Sequence, residues 1–223
     1  ARQSRWLSQQ TQTFQIVLCA NMSLRTLKKS ENLFQVEDRS QEVFFLAQGA
    51  MVGSFLHPLH GMMTGQVVLP GRWFGDPAAL GRRVRVLSVQ ARQASALLVL
   101  TRASVERLLK ANPEFCWPLF NLLASNAQEY LLRSIDLLIQ DPKLRMCSRL
   151  LTMAGRVSDY LPPSPVSLPI SQEELAMTSN LSRQSVHSFL SELVQRGICE
   201  LQYRDIRILD VQALAGILED NHA

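Results

Sequence analysis

Residues Ile170 to Leu209 read ISQEELAMTSNLSRQSVHSFLSELVQRGICELQYRDIRIL. Ser171 with Glu174 three places on is a capping box, so a helix starts there. Leu175 and Ala176 give that helix a short apolar face. Thr178-Ser179-Asn180 breaks the pattern, and Asn tolerates the left-handed backbone of a tight turn. Ser182 can cap a second helix. In it Val186, Phe189, Leu190, Leu193 and Val194 fall at i, i+3, i+4, i+7 and i+8, a single buried stripe. Gly197 stands where a glycine ends a helix. Ile198–Leu201 and Ile206–Leu209 are short apolar runs around Gln202–Asp205, which predicts a β-hairpin. Two short helices about a turn, followed by a hairpin, make a winged helix-turn-helix.

An ordinary helical pair inside a core would share that buried stripe. The opposite face of the second helix separates the two. Arg183, Gln184, His187 and Ser188 are all polar and lie away from the stripe. Arg pairs with guanine through two hydrogen bonds, and Gln with adenine. Both sit in the first turn of the helix, where this motif touches base edges. Ser182 at the cap and Gln172 at the start of the first helix complete the expected contact set for double-stranded DNA.

Charge complicates this expectation. The whole chain carries a net charge of +4. Residues 170–209, however, hold four Arg (183, 196, 204, 207) against five acids (173, 174, 192, 200, 205), so the module is no basic patch by itself. Phosphate contacts are expected instead from Lys143, Arg145 and Arg149 just upstream, and from helix N-terminal amides. Weak intrinsic charge predicts binding as a dimer on a specific site. The same charge balance keeps a second function class open, a ligand-binding or protein-interaction module that has lost specific DNA binding.

Working outward, residues 1–21 look helical. From Ser23 to Thr101 the sequence turns to short apolar runs: Leu24–Leu27, Asn32–Val36, Val43–Ala47, Met51–Leu56, Gln66–Leu69, Val84–Val89 and Ala94–Leu100. Glycines 49, 53, 61, 65, 71, 75 and 81 fall at or near many of the breaks, the pattern of an antiparallel sandwich or roll. Asn112-Pro113-Glu114 starts a helix. Phe120, Leu123, Ala127, Tyr130, Ser134 and Leu137 then repeat at 3 and 4 along roughly 28 residues, a seam for a partner helix. Lys143–Val157 is another helix, and Leu161-Pro-Pro-Ser-Pro165 a stiff linker. The expected fold class is therefore α+β, with a β-roll over 1–111, a long dimerisation helix over 112–140 and the winged helix-turn-helix over 141–223.

No run of about 18 apolar residues indicates a membrane span, and no apolar N-terminal segment of signal-peptide type is seen. A cytoplasmic protein is expected. Cys19, Cys116, Cys147 and Cys199 show no metal spacing. They are read as buried reduced thiols, with Cys147 and Cys199 the candidates for redox sensing. No nucleophile grouping, metal spacing or P-loop suggests an enzyme.

The order of roll, long helix and winged helix-turn-helix resembles the cyclic-AMP receptor protein / fumarate-nitrate regulator (Crp/Fnr) family of bacterial transcription factors. The resemblance is strongest over LPISQEELAMTSNLSRQSVHSFLSELVQRG. It continues in SLRTLKKSENLFQVEDRSQEVFFLAQGAMVGSF, where Gly49 falls on the glycine after the third strand. It implies a homodimer on a palindromic site, RNA polymerase as a further partner, and a signal received in a cyclic-nucleotide-binding-like jelly roll. It also implies that Arg183 matches a guanine-reading Arg. Gln184 replaces a Glu that accepts from cytosine, and Ser188 replaces a second Arg. The half-site is therefore expected to keep a guanine but to differ from the family's TGTGA.

In the family's phosphate cassette Gly75 matches. Asp76 replaces the ribose-gripping Glu, and Arg85 takes the Arg position if one residue is deleted. Val86 then replaces a phosphate-donating Ser. Tyr130 and Leu131 fall where a Thr-Ser pair meets adenine. A cyclic nucleotide is disfavoured on these departures, and no cofactor is assigned. Residues 72–107 hold seven Arg (72, 82, 83, 85, 92, 102, 107) against two acids (76, 106). They are either a solvated or DNA- or protein-facing basic surface, or the seat of a different small anionic effector near Arg82, Arg83 and Arg85. His57-Pro58-Leu59-His60 is read as a surface turn rather than a haem site. An iron–sulfur sensor is not expected, because only Cys19 lies near the N-terminus.

Overall fold

A computed structural model describes residues 4–59, 61–81, 84–156 and 161–219. In chain order the elements are α1 (Arg5–Ser8), α2 (Gln12–Ala20), β1 (Ser23–Leu27), β2 (Asn32–Phe34), β3 (Glu42–Gln48), β4 (Met51–His57), β5 (Gly61–Val68), β6 (Trp73–Phe74) and α3 (Asp76–Gly81). There follow β7 (Ser88–Ala91), β8 (Ser95–Thr101), α4 (Arg102–Ala111), a 3-10 turn (Pro113–Phe115) and α5 (Cys116–Asp136). The rest is α6 (Pro142–Ala154), β9 (Val166–Leu168), α7 (Gln172–Ser179), α8 (Arg183–Gln195), β10 (Cys199–Gln202), β11 (Asp205–Ile208) and α9 (Val211–Glu219). The chain forms two compact units, residues 1–56 with 68–128, and residues 57–67 with 129–223.

The first unit is the expected antiparallel roll. One sheet runs β1–β8–β3–β6, and in a second β2, β7 and β4 lie side by side. Strand β3, EVFFLAQ, has no polar face because both of its faces are covered. Phe44 and Leu46 join Phe34, Phe74 and Leu97 in one core cluster. Val43 and Phe45 join Trp73, Phe14 and Phe115 in the other. Side chains alternate across a strand, so consecutive aromatics serve opposite cores. Phe34, Phe44 and Phe74 stack with centroids 5.7 and 5.4 Å apart. Gly49 ends β3 at φ +96°, and a Cβ there would stand 2.3 Å from Ser95 Oγ. Only glycine fits that corner.

The N-terminal segment is helical, as expected, but divided. It forms two short helices, because Thr11 accepts from the Phe14 amide and restarts the chain as a new helix. Ser4 Oγ accepts from Trp73 Nε1 at 2.7 Å and caps α1 through the Leu7 amide at 3.1 Å. Other boundaries moved too. β6 is a two-residue strand that no periodicity could reveal. β5 begins at Gly61 rather than Gln66. The expected strand Val84–Val89 is shifted to Ser88–Ala91, and Val84 and Val86 lie exposed.

Helix α5 has 21 residues, about 31 Å at the α-helical rise, shorter than the 28 expected. Beyond Asp136 the amides of Leu137, Leu138 and Ile139 bond to carbonyls three residues back, which tightens and ends the helix. Leu119 and Leu122 are buried in the roll's core. Phe120 and Leu131 are 59% and 60% exposed.

In the second unit α6 is capped by Asp141, whose carboxylate accepts from the Lys143 and Leu144 amides at 2.8 and 2.9 Å. Its last residue is Ala154, three before the predicted end, and Gly155 caps it at φ +113°. Residues 157–160 lie outside the described set. The predicted linker at 161–165 is part of this unit. β9 follows it and pairs with β11, and Ser164 Oγ accepts from the Val211 amide at 2.9 Å. β10 and β11 form the predicted hairpin. Helix α9, not foreseen, buries Val211, Leu214 and Ile217 and packs on α6.

Candidate functional site

The helix-turn-helix is assembled by local chemistry. Ser171 Oγ accepts from the Glu174 amide at 3.1 Å, and Glu174 Oε2 accepts from the Ser171 amide at 2.8 Å, so the capping box is complete. Asn180 takes the left-handed conformation, φ +52°, and the Leu181 amide bonds back to Ala176 O at 2.9 Å. Arg145 seals the end of α7, its Nε donating to Ser179 O at 2.9 Å. Ser182 caps α8 by accepting from the Ser185 amide at 3.0 Å.

Below that cap Val186, Leu190 and Leu193 are buried. Phe189 is half-buried and Val194 is exposed, so the buried stripe is narrower than the periodicity implied. Arg183, Gln184, His187 and Ser188 are exposed on the other side. Among the described residues nothing bonds to the side chains of Arg183, Gln184 or Ser188. His187 Nδ1 lies 3.3 Å from Gln172 Oε1, which ties the start of α7 to the outer face of α8.

Of these groups Gln172, Arg183 and His187 border an open groove of about 390 Å³, whose other side includes Tyr203, Arg204 and Asp205. Tyr203 is 92% exposed at the hairpin tip, and Arg204 beside it adopts φ +55°. The sequence reading treated Gln202–Asp205 as a turn only. A lone aromatic between polar turn residues was the available signal.

The upstream basic residues are otherwise employed. Lys143 is ion-paired with Glu192. Arg145 is spent on carbonyls, including Ser179 O and Asn180 O. Arg149 is buried. Cys147 and Cys199 are also buried, and burial pushes their thiols up to about 12 and about 11. That disfavours the thiolate on which redox sensing depends. Cys19 and Cys116 are exposed, contrary to the expectation of four buried thiols.

Because Ser182 supplies the first-turn cap of α8, Ser182→Ala is expected to lower stability by about 1 kcal/mol. Urea unfolding followed by circular dichroism would show it as a lower midpoint with unchanged slope.

The cassette residues of the roll converge on one cradle. Gly75 (φ +83°) precedes α3, and a Cβ there would lie 2.9 Å from Arg85 Nη1. The Arg85 side chain fills the space. It is 4% exposed, and its Nη1, Nη2 and Nε donate to Gly75 O, Glu42 O and Ser40 Oγ at 2.8, 2.8 and 3.2 Å. Its guanidinium lies 4.2 Å from the Phe34 ring centre. Burial lowers its pKa, an effect offset in part by Glu42, Asp38 and Asp76.

Asp76 is fully buried. Its Oδ1 accepts from Asn126 Nδ2 of α5 at 2.8 Å, while Oδ2 has no partner. Burial raises its carboxyl to about 6, against the lowering effects of the Asn126 bond, a backbone bond and Arg85. Asn126, Ser40 and Phe34 were missed because they come from distant segments. Arg82 and Arg83 lie outside the described residues. Tyr130, in the second unit, is partly exposed, with the Arg133 guanidinium 5.9 Å from its ring. His57, the last residue of β4, accepts the Leu59 amide on Nδ1 at 3.1 Å, and His60 is outside the described residues. Among the described residues no helix is long and apolar enough to cross a membrane.

Two family profiles match the chain. A cyclic nucleotide-binding domain matches residues 24–112, and a Crp-like helix-turn-helix domain matches residues 144–217. No curated protein matches it. Solved structures share its fold. FixK2 from Bradyrhizobium japonicum is 20% identical with a TM-score of 0.71, over 87% of this chain and 96% of that one. The c-di-GMP-responsive global regulator CLP of Xanthomonas campestris is 14% identical with a TM-score of 0.64, over 90% and 100%. A transcriptional regulator of the CRP/FNR family from Thermus thermophilus is 22% identical with a TM-score of 0.64, over 88% and 98%.

Proposed function

The chain belongs to the Crp/Fnr family of transcription regulators, and from that premise we propose that it is a homodimeric, sequence-specific DNA-binding protein acting on a palindromic site in double-stranded DNA. The observation that carries this is the outer face of α8. Arg183 and Gln184 stand exposed in its first turn, with free donors, on a helix rigidly set by the Ser182 cap and the Val186, Leu190 and Leu193 core. A guanidinium and a carboxamide so placed match guanine and adenine edges in the major groove. Gln172 and His187 flank them, and Ser188 is too short to replace a second Arg.

Dimer formation is supported by α5, whose outer face exposes Phe120, Ala127, Tyr130 and Leu131 along one seam. Such a stripe wants a partner helix. RNA polymerase is a further partner consistent with the family.

The roll serves as the sensor, but its cyclic-nucleotide cradle is degraded. Arg85, the residue positioned to grip a phosphate, is bound to three protein acceptors and stacked on Phe34. Asp76 is held by Asn126 inside the protein. A ligand phosphate would have to displace these contacts, so a cyclic nucleotide is disfavoured as the effector. A module that has lost specific DNA binding is the second reading. It is motivated by the excess of acids over Arg in residues 170–209.

Selection of bound duplexes from a random pool tests the reading. Enriched inverted repeats are expected, with half-sites about one helical turn apart, each keeping a guanine and differing from TGTGA. Plain TGTGA repeats would contradict the assignment of Gln184 and Ser188. No enrichment would favour the second reading.

A further inference from the structure

Arg149 of α6 is 6% exposed. Its Nη2 donates to Gly65 O of β5 at 3.0 Å. The next residue of that strand, Gln66, accepts from Arg133 Nη1 of α5 at 3.2 Å. Two guanidinium groups therefore reach consecutive residues of one strand, all within the second unit. Like charges so close are costly away from water unless something negative lies between them.

The surrounding carboxylates do not supply that charge. Glu129 pairs with Arg133 at 3.4 Å. Asp136 lies 3.7 Å from Arg156, and its two oxygens accept from Ser148 Oγ at 2.7 Å and Thr152 Oγ1 at 2.8 Å. Strand β5 carries no charged residue. Arg133 and Arg156 thus have carboxylate partners in Glu129 and Asp136, whereas among the described residues no carboxylate forms an ion pair with Arg149. Its Nε is shut off from solvent and has no acceptor. An unmet donor on a buried cation is among the more expensive defects a fold can carry. Burial, and then repulsion by Arg133, lower the Arg149 pKa to about 10, with Asp136 opposing. Both the missing charge and the missing acceptor are of the kind an oxyanion supplies, and the planar fork of Arg suits one.

We propose that Arg149, with Arg133 beside it, is an anion site that takes the phosphate or carboxylate group of a small molecule where α5, α6 and β5 meet. The site is separate from the roll cradle of Gly75, Asp76 and Arg85, and it does not depend on how the protein reads DNA. Its ligand accepts from Arg149 Nε–H and neutralises a guanidinium that has no ion pair.

The test is nitrogen-15 spectroscopy of the arginine Nε–H groups in the full chain. Inorganic phosphate, acetate and chloride are titrated separately at matched ionic strength. The Arg149 resonance, assigned through its loss in Arg149→Lys, should shift saturably with phosphate or acetate and not with chloride. Whichever binds tighter tells whether the natural group is a phosphate or a carboxylate. Arg149→Lys keeps the charge but lacks Nε–H, and it should bind the anion at least about tenfold more weakly. A linear shift, an equal response to chloride, or unchanged affinity in Arg149→Lys would overturn the proposal. Should that variant not fold, the dependence of the wild-type arginine spectrum on the three anions decides alone. No DNA is present, so failure here leaves the DNA-binding reading untouched, and failure of random-pool selection leaves this one untouched.

Discussion

Arg183→Ala is expected to erase discrimination at one base pair of each half-site, at a cost of about 1–3 kcal/mol against the preferred base. The side chain is exposed at the first position of α8 and makes no contact that holds the fold, so thermal stability should stay close to that of the wild type. The helix keeps its Ser182 cap and its buried stripe. What disappears is a forked donor that no neighbour can replace. Gln184 presents a carboxamide, and Ser188 is too short to replace an Arg. A panel of duplexes differing at single positions, measured by fluorescence anisotropy at one fixed salt concentration, should show the loss at one position and parity elsewhere. A uniform loss across the panel, with a shallower salt dependence, would make Arg183 a backbone contact instead. The specificity assigned to the helix would then have to come from Gln184 and His187.

The same residues show why the recognition half of the chain was legible in advance and the sensor half much less so. Ser171 with Glu174, Asn180, Ser182 and Gly197 each act on backbone within a few residues, and all five sit in the structure as the sequence implied. Helix caps and left-handed turns are local chemistry, and local chemistry is written in short strings. Arg85 is the opposite case. Its acceptors, Ser40, Glu42 and Gly75, come from two separate stretches of chain, and its stacking partner Phe34 from a third. A pattern of exposed strand residues could not show that the guanidinium turns inward. Helix α5 was misjudged for a related reason. The 3–4 repeat continues through Leu137, yet the Asp136 carboxylate is held by Ser148 and Thr152 of the next helix, and Pro142 then opens α6. Lys143, Arg145 and Arg149 looked available for phosphates because charge is visible in a sequence and its internal partners are not. β6 and β9, two and three residues long, carry too few side chains for any period to appear, although each completes a sheet.

Asp76→Asn is expected to stabilise the protein at neutral pH and to flatten its stability profile between about pH 4 and 6. The carboxyl of Asp76 is fully buried, with Oδ2 facing no donor. Only Asn126 Nδ2, a backbone bond and the nearby Arg85 charge favour the ionised form, and burial outweighs them, which raises the group from 3.8 to about 6. The folded protein therefore holds this proton more tightly than the unfolded chain does. Its contribution is fully present below the unfolded value near 3.8 and is lost as pH rises through about 6. Roughly two pKa units correspond to about 3 kcal/mol lost across that window. The carboxamide cannot ionise, and its oxygen can still accept from Asn126. Its amino group also needs an acceptor, and if buried unmet it gives back about 1–3 kcal/mol. The absolute gain at pH 7 is consequently smaller than the change in slope, and the slope is the more telling quantity. Urea unfolding of both proteins from about pH 3.5 to 7.5 should show wild-type stability falling relative to the variant through the window and running parallel above it. Parallel profiles throughout would mean that Asp76 stays ionised in the fold. Arg85, already committed to Gly75, Glu42 and Ser40, would then have to be shared with it as a counter-charge.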